Sequence, residues 1–210
     1  MLLRKLLGDQ GYKTVKKGMC DEHPIFAAGL GICSALAISN KVENAIAMGA
    51  GVTFVLIATA VMISTLRSLI PLRVRIITYM IIIASFVITV QMFLDAFSPT
   101  ISEALGPYVG LIITNCIIMG RAEAFFMQNK VYHSVLDAIS NGLAYSCTLI
   151  AISVVREVLG FGTLLGISVM PDSYEKWVVM TMAPGAFFLL GIAIWISKTI
   201  SERRSEESKA

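Results

Sequence analysis

The sequence predicts an all-α integral membrane protein of six transmembrane helices, laid out as two inverted three-helix repeats whose first and fourth helices are short half-helices. Three observations lead there. The 210-residue chain is 56% hydrophobic with a mean hydropathy of +0.78, which is more apolar side chain than a soluble core of that size can hide. The apolar residues are gathered into runs of near-membrane length separated by charged connections. The runs also fall into two sets of three, and each set opens on a short, glycine-containing segment with a cysteine near its middle.

Four runs read as full spans: 44–66, 76–97, 135–155 and 178–196. Each is close to the ~20 residues that a helix needs to cross ~30 Å of hydrocarbon. Segments 25–38 and 107–119 are shorter, and at 1.5 Å per residue they give helices of roughly 20 Å. Backbone that ends at membrane depth is tolerated only inside protein or along a cavity, so these two segments are expected within an assembly. Pro24 and Pro107 suit helix starts, where a missing N–H costs nothing. The chain then divides into an N-terminal segment (1–24), a first repeat (25–97), a second, inverted repeat (107–196) and a C-terminal tail (197–210). The opening "MLLRKLLGDQGYKTVKKG" has no apolar stretch of signal-peptide length, so the spans themselves are expected to direct insertion.

Loop charge sets the sidedness. With six alternating segments and an inside N-terminus, fourteen of the seventeen Lys and Arg residues lie inside, and only Lys41, Arg156 and Lys176 lie outside. The positive-inside rule therefore places both termini in the cytoplasm. Three segments per half is an odd number, so the second copy is inverted relative to the first. Short, glycine-interrupted segments at matching positions of such repeats point to a functional site near the midplane.

Cys33 and Cys116, one in each short segment, are the candidate ligands of that site. Cysteine is also an ordinary small apolar residue in helices, and no CxxC-type spacing marks a local metal knuckle. An inverted repeat would nonetheless bring the two segments face to face. Two thiolates do not complete an iron–sulfur site, which takes four cysteines, so a cluster here needs two more ligands from another chain. Cys20, beside His23, and Cys147, inside a full span, read as bystanders. Arg121 with Glu123, and Lys41 with Glu43, read as groups that fix the ends of the short helices. Asp95 and Asp137 are acidic residues near span ends, where an ion path competes with simple interfacial placement. Arg156–Glu157 reads as an interfacial pair. "GFGTLLG" (160–166) follows a helix rather than a strand and lacks dinucleotide-fingerprint spacing, so it reads as an outer loop. No P-loop, nicotinamide or flavin motif is present, and no nucleic-acid partner is expected.

Several stretches carry a family resemblance. "LGICSALA" (30–37), "GLIITNCIIMGRAEAF" (110–125), "NGLAYS" (141–146), "REVLGFGTLLG" (156–166) and "APGAFFLLGIAIW" (183–195) resemble the D-subunit family of sodium-translocating NADH:quinone reductases. Membrane subunits of the Rnf ferredoxin:NAD oxidoreductases share much of the second motif. In the Rnf counterpart a proline usually follows the first cysteine, whereas here Ser34 follows Cys33. The resemblance implies a pseudo-twofold partnership with the homologous E subunit, and an iron–sulfur cluster, [2Fe–2S], shared across that pair with Cys33 and Cys116 as this chain's ligands. It implies further partners in the A, B, C and F subunits, with flavins and the NADH site on other subunits. It also implies electron flow to quinone coupled to sodium export, in the inner membrane of a bacterial cell among its lipids. Backbone amides near Gly31, Ile32 and Ser34, and near Asn115 and Ile117, would then tune the cluster. The alternatives are an Rnf-type subunit, a secondary transporter with broken helices, or a structural subunit without cofactor.

Overall fold

The computed structural model describes residues 29–71, 73–97, 106, 108–164, 167–168 and 182–207. In chain order these form α1 (Ile32–Ile38), α2 (Val42–Leu66), α3 (Arg75–Phe97), α4 (residues 108–113), α5 (Cys116–Arg121) running into a π-helical turn (Ala122–Phe126), α6 (Val131–Phe161), a hairpin of β1 (Thr163–Leu164) and β2 (Ile167–Ser168), and α7 (Ala183–Glu207). Among the described residues, four helices are long and apolar enough to cross a membrane: Val42–Leu66, Arg75–Phe97, Tyr108–Phe126 and Val131–Phe161. The protein is therefore a multi-pass membrane protein with an essentially all-helical build.

Two expectations are corrected. The fourth segment is not a single short helix over 107–119. It runs through Tyr108–Phe126, 19 residues and of spanning length, with its helix interrupted at Thr114–Asn115. The polar pair Thr114–Asn115 inside "LIITNCIIM" marks the break, with Asn115 as the N-cap of the helix that follows. The last span was expected at 178–196; its helix is Ala183–Glu207. Its apolar part, Pro184–Ile200, has fewer than 18 residues, and the helix continues into the charged tail without a boundary at 197. Residues 178–181 lie outside the described residues, as do Cys20, His23, Pro24, Pro107 and the 25–28 start of the first short segment. The outer loop read at 160–166 contains Gly162, a left-handed cap that ends α6 at φ 70°, and the first strand of a hairpin pairing Thr163 with Ser168.

The core is the antiparallel pair α2 and α6. Their crossing uses small residues in a reciprocal way. A Cβ placed on Gly49 would lie 2.8 Å from Ser146 Oγ, and one on Gly142 would lie 2.8 Å from Thr53 Cγ2. Each glycine thus receives the hydroxyl residue that stands four positions beyond the other glycine. Thr53 and Ser146 donate back to the carbonyls of Gly49 and Gly142 at 2.7 and 2.9 Å, and their oxygens meet at 3.2 Å. Small residues let backbones approach where lipid offers no hydrophobic drive for helices to associate. By contrast, α3 buries a single stripe, Tyr79, Ile83 and Val87, and leaves Ile77, Ile81 and Phe93 more than 60% exposed. Such a face belongs to lipid or to neighbouring subunits.

Charged residues close the bundle at both ends. At one end Arg121 grips Asp137 with two contacts, Nε to Oδ2 at 2.9 Å and Nη2 to Oδ1. Glu123 takes Arg75 at 2.5 Å and the Tyr79 hydroxyl at 3.3 Å. Ser64 donates to the Phe126 carbonyl at 3.1 Å, and its oxygen lies 2.7 Å from Ser134 Oγ. Arg121 and Glu123 thus lie within the helix, which runs on to Phe126, and not at its expected end; they tie it to α6 and α3, and Asp137 is an ion-pair partner. At the other end the expected pair, Lys41 and Glu43, is exposed, and residues from α6 take that role instead. Arg156 donates to Ser39 Oγ at 2.6 Å and to the Leu36 carbonyl at 3.3 Å. Glu157 accepts the Val42 N–H at 2.8 Å. Arg156 and Glu157 are therefore buried, each capping the turn between α1 and α2, which corrects their reading as an interfacial pair. Asp95 is exposed on α3.

Gly142→Val should lower the stability of the purified protein in detergent by about 1–3 kcal/mol, because its side chain drives into Thr53, whereas Gly191→Ala, with nothing within 4 Å of the added Cβ, should leave the melting temperature unchanged. Asp137→Ala should cost roughly 3–5 kcal/mol by stranding the Arg121 guanidinium. The double change with Arg121→Ala should cost less than the sum of the single changes, which a double-mutant cycle on the thermal midpoint would read.

Candidate functional site

The site is built from two helix starts. α1 begins on "GLGIC", whose glycines adopt the left-handed region, Gly29 at φ 66° and Gly31 at φ 85°. Side-chain-bearing residues are strained there. Gly31 has a second reason to be glycine, since an added Cβ would lie 2.9 Å from Tyr145 Cε2. α5 begins on "TNC". Asn115 is extended, with φ −66° and ψ 114°, and its side-chain oxygen accepts the Ile117 N–H at 3.3 Å, the ordinary N-cap arrangement. Cys33 is the second residue of α1 and Cys116 the first of α5.

The two starts lie against each other. The Gly31 N–H donates to Cys116 Sγ at 2.8 Å, which ties the first motif to the sulfur of the second. Asn115 Nδ2 donates to Ser34 Oγ at 3.4 Å, which ties the residue before Cys116 to the residue after Cys33. Ser34 Oγ also lies 3.1 Å from the Gly31 carbonyl and 2.7 Å from the Tyr145 hydroxyl. Ser34 has one proton, and the Gly31 carbonyl can only accept it, so the Tyr145 hydroxyl is the donor in the 2.7 Å contact.

Partners along α6 fix the directions of the two short helices. The far end of α5 and its π-helical turn meets Ser64 and reaches α6 at Ser134 and Asp137, through Phe126 and Arg121. The two starts meet it at Tyr145, and the far end of α1 meets it at Arg156. Tyr145 stands midway between Ser134 and Arg156, roughly 16 Å from each at 1.5 Å per residue. The short helices thus leave a central junction in opposite directions, each closed at its far end by one of the long helices.

Both candidate cysteines are in the first turns at this junction. Cys33 is exposed and Cys116 partly buried, and neither is in a disulfide. Among the described residues no group of three or more His, Cys, Asp or Glu comes together, so a metal held here would take the remaining ligands from outside these residues. The donor set suits iron and sulfur: two thiols at the ends of rigid turns, one of them receiving a backbone N–H, the kind of contact that sets the potential of such centres. Cys147 is exposed on α6 beside the apolar groove between α6 and α7 and plays no part in the junction.

Sequence reasoning missed Tyr145, and noted Ser34 only for its identity and its backbone amide, and Asn115 only for its backbone, not for their side chains. The available signal was a tyrosine in mid-span, whose hydroxyl has to find a partner when buried. Of the amides singled out from the sequence, Gly31 is the one whose N–H reaches the opposite cysteine.

Comparison with known proteins supplies the family. A family model described as "Rnf-Nqr subunit, membrane protein" matches residues 12–194. The chain is similar to the D subunit of the Na(+)-translocating NADH-quinone reductase of Psychromonas ingrahamii, 48% identical over 183 residues covering 85% of this chain and 87% of the relative. The D subunit of Chlamydia felis is 43% identical over 196 residues, covering 89% and 92%. That of Chlamydia trachomatis serovar D is 46% identical over 190 residues, covering 86% and 89%. The chain belongs to the Rnf-Nqr family of membrane subunits, and the relatives it is similar to carry the D-subunit name to which its two cysteine motifs pointed.

Proposed function

We propose that this chain is the D-type membrane subunit of a sodium-translocating NADH:quinone reductase, not catalytic alone, in which Cys33 and Cys116 are two of the four ligands of an iron–sulfur cluster, [2Fe–2S], shared with the homologous E subunit. The observation that carries the reading is the 2.8 Å hydrogen bond from Gly31 N–H to Cys116 Sγ, made across two motifs 85 residues apart. The names of the relatives supply the complex. Family membership sets aside the secondary-transporter alternative. An Rnf-type subunit shares the thiol chemistry, but Ser34 after Cys33 and the D-subunit names favour the quinone reductase.

When bound, such a cluster supplies one-electron transfer near the middle of the membrane. The chain's own residues hold and orient it. α1 and α5 present one sulfur each, Gly31 donates to one of them, and the Tyr145–Ser34–Asn115 contacts tie the two turns together. The reciprocal packing of Gly49 and Gly142, together with the opposite directions of α1 and α5, supports six spans in two inverted repeats. The end that carries Arg75, Arg121 and Lys130 is the richer in basic residues, which supports placing it and both termini on the cytoplasmic side of a bacterial inner membrane. The A, B, C and F subunits, with flavins and the NADH site, complete the path to quinone, and sodium is exported by the complex as a whole.

In the purified complex, Cys33→Ala and Cys116→Ala should each remove the cluster's iron and its EPR signal and abolish quinone reduction, while NADH oxidation at the flavin persists. Iron and turnover that survive either change would overturn the reading.

A further inference from the structure

Resting on that reading of the thiol pair, we propose that Tyr145 is a positioning residue for the two sulfurs, acting through Ser34 and Asn115 to fix how the Cys33 and Cys116 turns sit against each other. Three contacts argue for it. The Tyr145 ring occupies the space beside Gly31 where a Cβ would otherwise stand, 2.9 Å from Cε2, and Gly31 is the residue whose N–H reaches Cys116 Sγ. The Tyr145 hydroxyl donates to Ser34 Oγ at 2.7 Å, next in sequence to Cys33. The same Ser34 oxygen accepts from Asn115 Nδ2, next in sequence to Cys116.

The Ser34 hydroxyl thus links the neighbours of both thiols, the Tyr145 hydroxyl holds it in place, and the Tyr145 ring packs against the turn that donates to a sulfur. Tyr145 and Asn115 are 0% and 3% exposed. Water does not substitute for either contact at that depth, so a lost bond leaves a buried polar group unpaired. Tyr145 also belongs to α6, which is tied to its neighbours near both ends through its own Asp137 and Arg156.

The ring and the hydroxyl are separable. In the full complex, Tyr145→Phe keeps the ring and removes the donor, and Ser34→Ala removes the relay from the other side. Both variants should retain wild-type iron and assemble normally, yet shift the cluster's midpoint potential and EPR line shape in the same direction. Tyr145→Leu, which removes the ring as well, should lose cluster iron at least several-fold faster to a chelator. Wild-type potential, line shape and chelator resistance in Tyr145→Phe and Ser34→Ala would overturn the positioning role even where Cys33→Ala and Cys116→Ala abolish the cluster. Iron retained in the cysteine variants would overturn the thiol-pair reading instead. Should Tyr145→Phe fail to assemble, Ser34→Ala decides the question by the same two spectroscopic readouts.

Discussion

A helix that starts in the middle of a membrane-embedded bundle leaves its first amides without water to bind, and this protein starts two helices there. The cost of those unpaired donors constrains everything around them. The two starts are placed side by side so that each supplies what the other lacks. Cys116 Sγ accepts from Gly31, and Ser34 Oγ accepts from Asn115, while Asn115 caps its own helix through Ile117. The junction is thus stabilised by the need to satisfy backbone and polar side chains, and the two thiols are carried along by the turns that meet it.

The long helices form a frame around that junction. α2 and α6 come close enough to interlock because glycine stands opposite a small hydroxyl residue at two reciprocal points. Those hydroxyls are satisfied locally, so the close approach leaves none of them stranded. The same helices reach past each other to cap the short helices, Ser64 at the Phe126 carbonyl and Arg156 at the Leu36 carbonyl. Free carbonyls at the ends of half-length helices would otherwise be as costly as the free amides at their starts. The frame therefore holds each short helix at both of its ends, and with them the turns that carry Cys33 and Cys116.

The ion pairs at the end that carries Arg75, Arg121 and Asp137 belong to the same logic. The π-helical turn that follows Arg121 widens the helix, and Arg121 and Glu123 leave it towards opposite neighbours, Asp137 on α6 and Arg75 on α3. The Arg121 guanidinium also lies 5.4 Å from the centre of the Phe125 ring. Acidic residues near span ends invite an ion-path reading from sequence. Asp137 is occupied instead in holding α5 in register with α6.

The sequence by itself determined the membrane class, because 56% apolar residues gathered in runs have no other home. It located the spans to within a few residues for α2 and α3, since hydrophobic runs end where charges begin. It also singled out Cys33 and Cys116, because a thiol in each of two short, matching segments is a pattern local enough to read along the chain. The break at Thr114–Asn115 was not read, although it falls on two polar residues of an otherwise apolar run and Asn115 is an ordinary N-cap type. Nor was the use of Arg156 and Glu157 as caps for a turn more than a hundred residues away. Only the tertiary structure decided that Tyr145 meets Ser34, the residue that links the neighbours of both cysteines. Hydropathy and periodicity report which face of a helix avoids water, whereas the partner of a buried hydroxyl is chosen by which helices cross, and at what depth.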